Sequence, residues 1–303
     1  HLHRSQTQNL QTSDIYNNGF AEYVTKDAAL ASGLAKVAGR KVYLGVDAQN
    51  TYSEDSAGRH SVRIQSKDVF DNGLLVADFA HLPEAGNGMW PAYWLYRGGD
   101  IDDSEYSEID LFEAVNKATA STTSFYTGAN CSVVALRGHL EDGSKLWCLH
   151  DDAVNEGCRF NGPANSFAKA ANEAGYRYVV LLLETDAIKV WYFKDEDTPG
   201  DFKSGQPDPG GWKQELSVWL APGGCDFARQ FGRFHIVSVL TPRYFATAYV
   251  GLEVALTRRV PRSATSLSAA PGQSWVGRLR RSVDGGSRAS WEFKGDVLCA
   301  EFA

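Results

Sequence analysis

Short runs in which apolar and polar residues alternate dominate this chain. In KVYLGVD, Val42, Leu44 and Val46 fall on one side. In SVRIQS, Val62 and Ile64 oppose Ser61, Arg63 and Gln65, and in IKVWYF, Ile188, Val190 and Tyr192 oppose Lys189, Trp191 and Phe193. Such period-2 patterns predict strands with one face in a core. VVLLL, residues 179–183, is a buried strand by its length and falls far short of the ~20 residues of a membrane span. YRYVVLLLE and IKVWYF are separated by Thr185, Asp186 and Ala187, a hairpin-length link. KDAALASGL, 26–34, predicts one short helix or a turn. Many short strands punctuated by Gly, Asn, Asp and Pro predict an all-β sandwich, with no internal repeat and no linker before about residue 240.

One run breaks the pattern. SEIDLFEAVN, residues 107–116, sets Glu108, Asp110 and Glu113 in an E-x-D-x-x-E arrangement among Ile109, Leu111, Phe112, Ala114 and Val115. Carboxylates are costly in an apolar strand unless they line a cleft or find partners. Glu108 and Asp110 share a strand face, but Glu113 is an odd number of steps from Glu108 and points the other way. One extra residue at Leu111 or Phe112, a β-bulge, returns it to the face of the other two. Glu108 and Glu113 then lie ~13 Å apart at Cα. Leaning in over Asp110, their carboxyls would reach roughly 5–6 Å, near the spacing of retaining glycosidases. Three close acids cannot all ionise freely, so repulsion favours one that keeps its proton. The plain alternative is a solvated acidic edge or a calcium site. The nearby acidic loop of Asp100, Asp102, Asp103 and Glu105 lacks the Gly and the twelfth-position Glu of an EF-hand and is read as solvated. No metal and no cofactor is expected.

The motif resembles that of glycoside hydrolase family 16, in particular the fungal, laminarinase-like endo-1,3(4)-β-glucanases, which carry the bulged E-I-D-x-x-E form. Six further segments resemble the same group in the same order: 19–47, 58–83, GMWPAYWLY (88–96), TSFYTGANCSV (123–133), DAIKVWYF (186–193) and GGCDFARQF (223–231). The resemblance spans roughly residues 19–237. It implies a concanavalin A-like β-jelly-roll sandwich of two antiparallel sheets. It also implies that Glu108 is the nucleophile, Glu113 the acid/base, and Asp110 the hydrogen-bonding group between them. Sugar C–H faces pack on aromatic rings, and Trp90 and Trp94 share a face if 90–94 is extended. Trp94 is the stronger candidate for a sugar contact; Trp191 and Trp212 are weaker ones. Tyr126 stands where the family carries a His two residues before the Gly of TSFYTG. The segment IDDSEYSE lacks the family's Trp-Pro, and a Trp near LLLET is absent. These departures strip contacts from the negative subsites and leave the acids intact. Cleavage chemistry is therefore better supported than specificity for laminarin or lichenin.

Bulk properties narrow the partners. The 303 residues suffice for a full core. A net charge of −7 without clustered Lys argues against nucleic acid, and no apolar run would span a membrane. A monomer acting on β-glucan polysaccharide or oligosaccharide is expected. Cys131, Cys148, Cys158 and Cys225 lie in the resembling region and Cys299 far outside it. Their spacing suggests no zinc site. Scattered Cys in an aromatic-rich β protein read as disulfides of an oxidising compartment, with buried free thiols as the alternative. The pairing is not readable, and an odd count leaves at least one thiol over. A secreted or cell-wall location is expected. The chain begins at His1 with neither Met nor signal peptide, as a mature form, a fragment or an imperfect gene model would. Asn130-Cys131-Ser132 is a weak glycosylation sequon.

Three stretches follow. Residues 1–18 do not resemble the family's opening strand. Residues 19–240 form the family 16-like catalytic sandwich. Residues 241–303 form an Arg/Ser-rich, non-matching tail, read as poorly ordered and as either a frameshifted translation or a divergent segment. The sandwich is thus expected to be incomplete at both termini, with no strand from about 242 onward. Cys225 would be unpaired if its partner lay in the family's F-C-G-like stretch, which is missing here. The leading reading is a retaining endo-β-glucanase that cleaves β-1,3 or mixed β-1,3/1,4 linkages by double displacement. A cell-wall glucan transglycosylase would differ in using a sugar hydroxyl in place of water. A non-catalytic glycan-binding protein on the same fold would not require three acids in a row. There is no G-x-S-x-G elbow, P-loop or strand-linked G-x-G-x-x-G.

Overall fold

The computed structural model describes residues 19–38, 41–66, 68–84, 86–98, 102–128, 131–150, 157–204, 207–213, 216–242, 251–259, 291–294 and 297–300. Expectations for residues 1–18, for the sequon at Asn130 and for most of the tail lie outside these. Two large sheets face one another. The first runs Val133–Arg137, Val218–Pro222, Ile188–Lys194, Tyr176–Leu183, Gly73–His81, Gly251–Arg259, Lys41–Gly45, Ala35–Ala38. The second runs His139–Leu140, Cys158–Asn161, Thr122–Thr127, Ser107–Glu113, Met89–Arg97, Phe234–Pro242, Arg63–Ser66, Val297–Ala300, Trp291–Lys294. Pairing within both is antiparallel, except that Val297–Ala300 runs parallel to Arg63–Ser66. Ala21–Tyr23 and Arg59–Ser61 make a small separate parallel pair.

Burial explains the sequence patterns. Leu75, Ala77, Phe79, Val179, Leu181, Leu183, Val190 and Tyr192 of the first sheet join Leu95, Ile109, Leu111, Phe112 and Phe125 of the second in the main core. On the first sheet's other face, Leu74, Val76, Val180, Leu182, Trp191 and Phe193 form a second cluster, covered by Phe202 and Trp212. VVLLL therefore shows no alternation, because both of its faces are buried. KDAALASGL resolves into the helix Lys26–Ala31, whose first turn is capped by Thr25 Oγ1 accepting from Ala28 N.

Two expectations are corrected. Gly251–Arg259 is a nine-residue strand that pairs with Gly73–His81 on one side and Lys41–Gly45 on the other. Residues beyond 242 thus do contribute to the sandwich, and in its middle rather than at an edge. The stretch LEVALT does alternate, Leu252, Val254 and Leu256 against Glu253, Ala255 and Thr257; the Arg- and Ser-rich composition after it hid that period. Cys225 is also not left over. It is bonded to Cys131, and Cys148 is bonded to Cys158.

Candidate active site

The bulge falls where the spacing of the acids required it. Along Ser107–Glu113, Asp110 pairs with Ser124 and Glu113 with Thr122, so Leu111 and Phe112 together face the single residue Thr123. On the other side, Asp110 pairs with Trp94, Phe112 with Tyr93 and Glu113 with Ala92. Leu111 and Phe112 both turn into the core, where Phe112 lies 5.3 Å from Phe79 and 5.1 Å from Phe167 between ring centres. The Leu111 carbonyl, inside the bulge, accepts from Thr123 Oγ1 at 3.1 Å and from Tyr192 OH at 3.2 Å. Tyr192 reaches it from the opposite sheet. The sandwich core thus holds the kink that puts the acids on one face.

Paired residues of neighbouring antiparallel strands share a face, so the register draws the floor of the cleft. One row crosses the sheet as Arg159, Ser124, Asp110, Trp94, Val237 and Gln65. The next carries Glu113 beside Thr122 and Ala92, and another carries Tyr126, Glu108, Tyr96 and His235. All three acids therefore stand on one face, as do Trp90, Trp94 and Tyr126. Asp110 is buried; Glu108 and Glu113 are half-buried.

Each acid has a different set of partners. Glu113 Oε2 accepts from Trp90 Nε1 at 2.7 Å, and Oε1 from Ser124 Oγ at 3.4 Å. Its pKa is pushed up to about 7, first by burial and then by the charge of Glu108, against the lowering effect of Trp90, Ser124 and Arg159. Asp110 has acids for neighbours. Burial, then the charges of Glu108 and Glu113, raise it well above the ordinary carboxylate range, so it holds a proton and donates it to Glu108. Burial raises Glu108 as well, but Tyr106, His150, Asp110 and Arg63 all oppose the rise. Tyr106 OH donates directly to Glu108 Oε2.

The aromatic candidates play unequal parts. Trp90, the weaker expectation, contacts an acid directly. Trp94 lies between Tyr96, 5.2 Å away, and the Arg63 guanidinium, 4.8 Å from its ring centre. Tyr126 lies over Gly157, whose φ of +60° and closeness to the phenol ring leave no room for a Cβ. Trp191 and Trp212 sit on the far face of the other sheet, away from the acids. Sequence reasoning missed Tyr106, His150, Ser124, Arg159 and Arg63. Ser124 and Arg63 were legible from strand alternation, and Tyr106 from its two-residue offset to Glu108. His150, whose ring lies 5.6 Å from Tyr106 and 5.9 Å from Tyr126, comes from the segment joined by the Cys148–Cys158 bridge and had no such signal. Among the described residues no group of three or more His, Cys, Asp or Glu could hold a metal ion. Nor is any helix among them long and apolar enough to cross a membrane.

Comparison with known proteins bears on the family of the chain. The family model of an XgeA-like, catalytic GH16 domain matches residues 9–241. A probable glycosidase of Schizosaccharomyces pombe is 31% identical over 74% of this chain and 52% of its own length. The endo-1,3(4)-beta-glucanase of Emericella nidulans is 32% identical over 71% of this chain and 33% of its own. The chain thus spans from about a third to half of the curated relatives it matches. A crystal structure of an elongating GH family 16 beta-1,3-glucosyltransferase superposes with a TM-score of 0.67 at 32% identity, covering 76% of each chain. With three acids on a bulged strand and a family match across most of its length, this chain belongs to glycoside hydrolase family 16.

Proposed function

We propose that this protein is a retaining endo-β-glucanase that cleaves internal β-1,3 or mixed β-1,3/1,4 linkages by double displacement. The observation that carries the reading is the contrast within one row of acids. Glu113, with a pKa near 7, keeps a proton to give to a leaving sugar oxygen. Burial raises Glu108 too, but the donors Tyr106 and Asp110 and the Arg63 cation favour its charged form. In this reading Glu108 attacks the anomeric carbon and forms a glycosyl-enzyme. Glu113 first protonates the departing oxygen and then, as a base, activates the water that releases the sugar. Asp110, protonated, holds Glu108 in place by a hydrogen bond. Trp90, Trp94 and Tyr126 offer ring faces for the glucan. The two disulfides support secretion to the cell exterior or wall.

Transfer to a second sugar in place of water is the alternative that one observation favours, because the structurally similar relative is described as an elongating glucosyltransferase. Product lengths from a β-1,3-glucan separate the two: shorter chains for hydrolysis, longer ones for transfer. The retaining mechanism has its own test. Glu113→Ala should be rescued by azide on substrates with good leaving groups, since a small anion attacks the glycosyl-enzyme without a general base. A β-configured glycosyl azide is expected. An α-product means inversion and overturns the assignment of Glu108.

A further inference from the structure

We infer that Tyr106 is a positioning residue for the nucleophile: its phenol fixes the Glu108 carboxylate in the cleft and keeps it charged. The inference rests on the proposed role of Glu108. Its physical basis is a hydrogen bond from a neutral donor to a carboxylate, which favours the ionised form.

The geometry of Tyr106 is that of a fixed post. Its carbonyl accepts from Gly128 N at 2.8 Å and from Gln230 Nε2 at 2.9 Å, so the backbone is tied to two separate segments. The His150 ring lies 5.6 Å away, and its other neighbour Tyr126 is paired with Glu108 across the sheet. The backbone of His150 is itself held, its amide N–H donating to the Thr127 carbonyl at 2.8 Å. From this wall the Tyr106 hydroxyl reaches Glu108 Oε2. A carboxylate aimed before the substrate arrives needs no reorganisation during attack.

Every element around Glu108 contributes a group. Its own strand supplies Asp110 and Glu113, and the segment just before it supplies Tyr106. The flanking strands supply Tyr96 and Tyr126, with His235 packed on Tyr96 at 5.8 Å. Arg63 and His150 act on it from farther off. Burial opposes its ionisation, while the hydrogen bond with Asp110 and the electrostatic influence of His150 and Arg63 favour it. Tyr106 is the neutral donor whose loss changes no charge, so its removal isolates the hydrogen bond.

Tyr106→Phe keeps the ring and deletes the hydroxyl. The low-pH limb of the kcat/KM profile, where Glu108 gains its proton, should move up by about one pH unit, a tenfold change in proton affinity. kcat should fall about tenfold with KM changed less than about threefold, because the lost contact matters at the reacting group. The second readout needs no turnover: a 13C titration of the Glu side-chain carboxyls, with the Glu108 signal assigned by its absence in Glu108→Gln. Its midpoint should rise by the same unit in Tyr106→Phe. If Tyr106→Phe does not fold, 3,5-difluorotyrosine at position 106 keeps the shape and strengthens the donor, and the midpoint should fall. A midpoint and pH limb that stay at the wild-type values overturn the inference. A wild-type protein inert toward every β-glucan would overturn the hydrolase reading, and the titration would still decide the role of Tyr106.

Discussion

Asp47 and Asp110 are buried to nearly the same degree, 8% and 6% exposed, yet their carboxyls are driven in opposite directions. Asp47 sits in the loop after Lys41–Gly45. Its two oxygens accept from Gln49 N at 2.8 Å, Asn50 N at 3.1 Å, Asn50 Nδ2 at 2.6 Å and Tyr52 OH at 2.6 Å. Burial alone would raise its pKa, but these four donors outweigh it and carry it well below the carboxylate range. The same contact, together with burial, pushes Tyr52 up to about 12. Asp110 meets acids where Asp47 meets donors, so burial and charge act together and it retains its proton. Low exposure alone therefore does not fix the state of an acid: the depth of burial and the supply of donors decide it together. One aspartate ties a loop together at the expense of any chemistry; the other sits in a row that favours chemistry at the expense of stability.

The comparison breaks most sharply on turnover. Glu108→Gln preserves the shape of the row and removes the charge on which the proposed double displacement depends. Hydrolysis of a β-1,3-glucan should fall to below about 1% of the wild-type rate while glucan binding persists, since removing a nucleophile can cost several powers of ten in kcat. Asp47→Asn, equally buried, should leave kcat within about threefold. Retention of more than about 5% of the rate by Glu108→Gln would remove that residue from its role.

The second effect is on stability, and it has opposite pH dependence in the two regions. The folded pKa of Asp47 lies below its unfolded value, so its stabilisation is full above about pH 4 and is lost as pH falls through that range. Asp47→Ala should cost about 2–4 kcal/mol at pH 7, because four donors lose their acceptor, and less in acid. Glu113 runs the other way. Its pKa rises from 4.5 unfolded to about 7 folded, so the unfolded chain releases its proton first and stability falls as pH climbs through that interval. Glu113→Gln, neutral at every pH, should gain about 1–3 kcal/mol at pH 8 and almost nothing at pH 4.5. Urea unfolding of Asp47→Ala at pH 7 and about pH 2.5, and of Glu113→Gln at pH 8 and pH 4.5, is the measurement. Parallel pH profiles for the two would dissolve the contrast.

These two regions were also unequally legible. The E-x-D-x-x-E spacing demanded a bulge by arithmetic, because a strand alternates with period 2 and Glu113 was out of phase; the kink lies at Leu111 and Phe112. Trp90 and Trp94 were placed on a common face by the same period, and the register puts that face with the acids. The face of Ser124 and Tyr106 was legible from the same period, but their hydrogen bonds were not, because a bond such as Tyr106 to Glu108 depends on which way a side chain turns at the start of a strand. His150 reaches the site through a bridge between Cys148 and Cys158 whose pairing spacing cannot reveal. Asp47 carried a readable local signal. Asp-Ala-Gln-Asn-Thr-Tyr, residues 47–52, has the form of an Asx turn, in which an aspartate accepts from backbone N–H groups two and three residues on. The strand Gly251–Arg259 was missed for a different reason: its six-residue alternation was outweighed by the composition of the fifty residues around it.

The smallest effect tests what holds the bulge. Tyr192 OH lies 3.1 Å from Thr123 Oγ1 and 3.2 Å from both Ser121 Oγ and the Leu111 carbonyl. It is the core-facing tyrosine of the opposite sheet, fully buried. Tyr192→Phe keeps the ring and its packing and deletes one hydroxyl. The Leu111 carbonyl retains Thr123 Oγ1, so it is not orphaned and the cost should be only about 1 kcal/mol, the net worth of one buried hydrogen bond. If the contact pins the bulge, the acids lose some of their alignment. kcat should then drop about three- to tenfold with KM nearly unchanged, since a small misplacement of reacting groups is expensive. Tyr93 provides the control, being another buried phenol of the core whose hydroxyl has no hydrogen-bond partner among the described residues. Tyr93→Phe should cost little stability and leave kcat unchanged. Equal losses of kcat in the two variants would show that the row of acids responds to general core packing and not to the bond at Leu111.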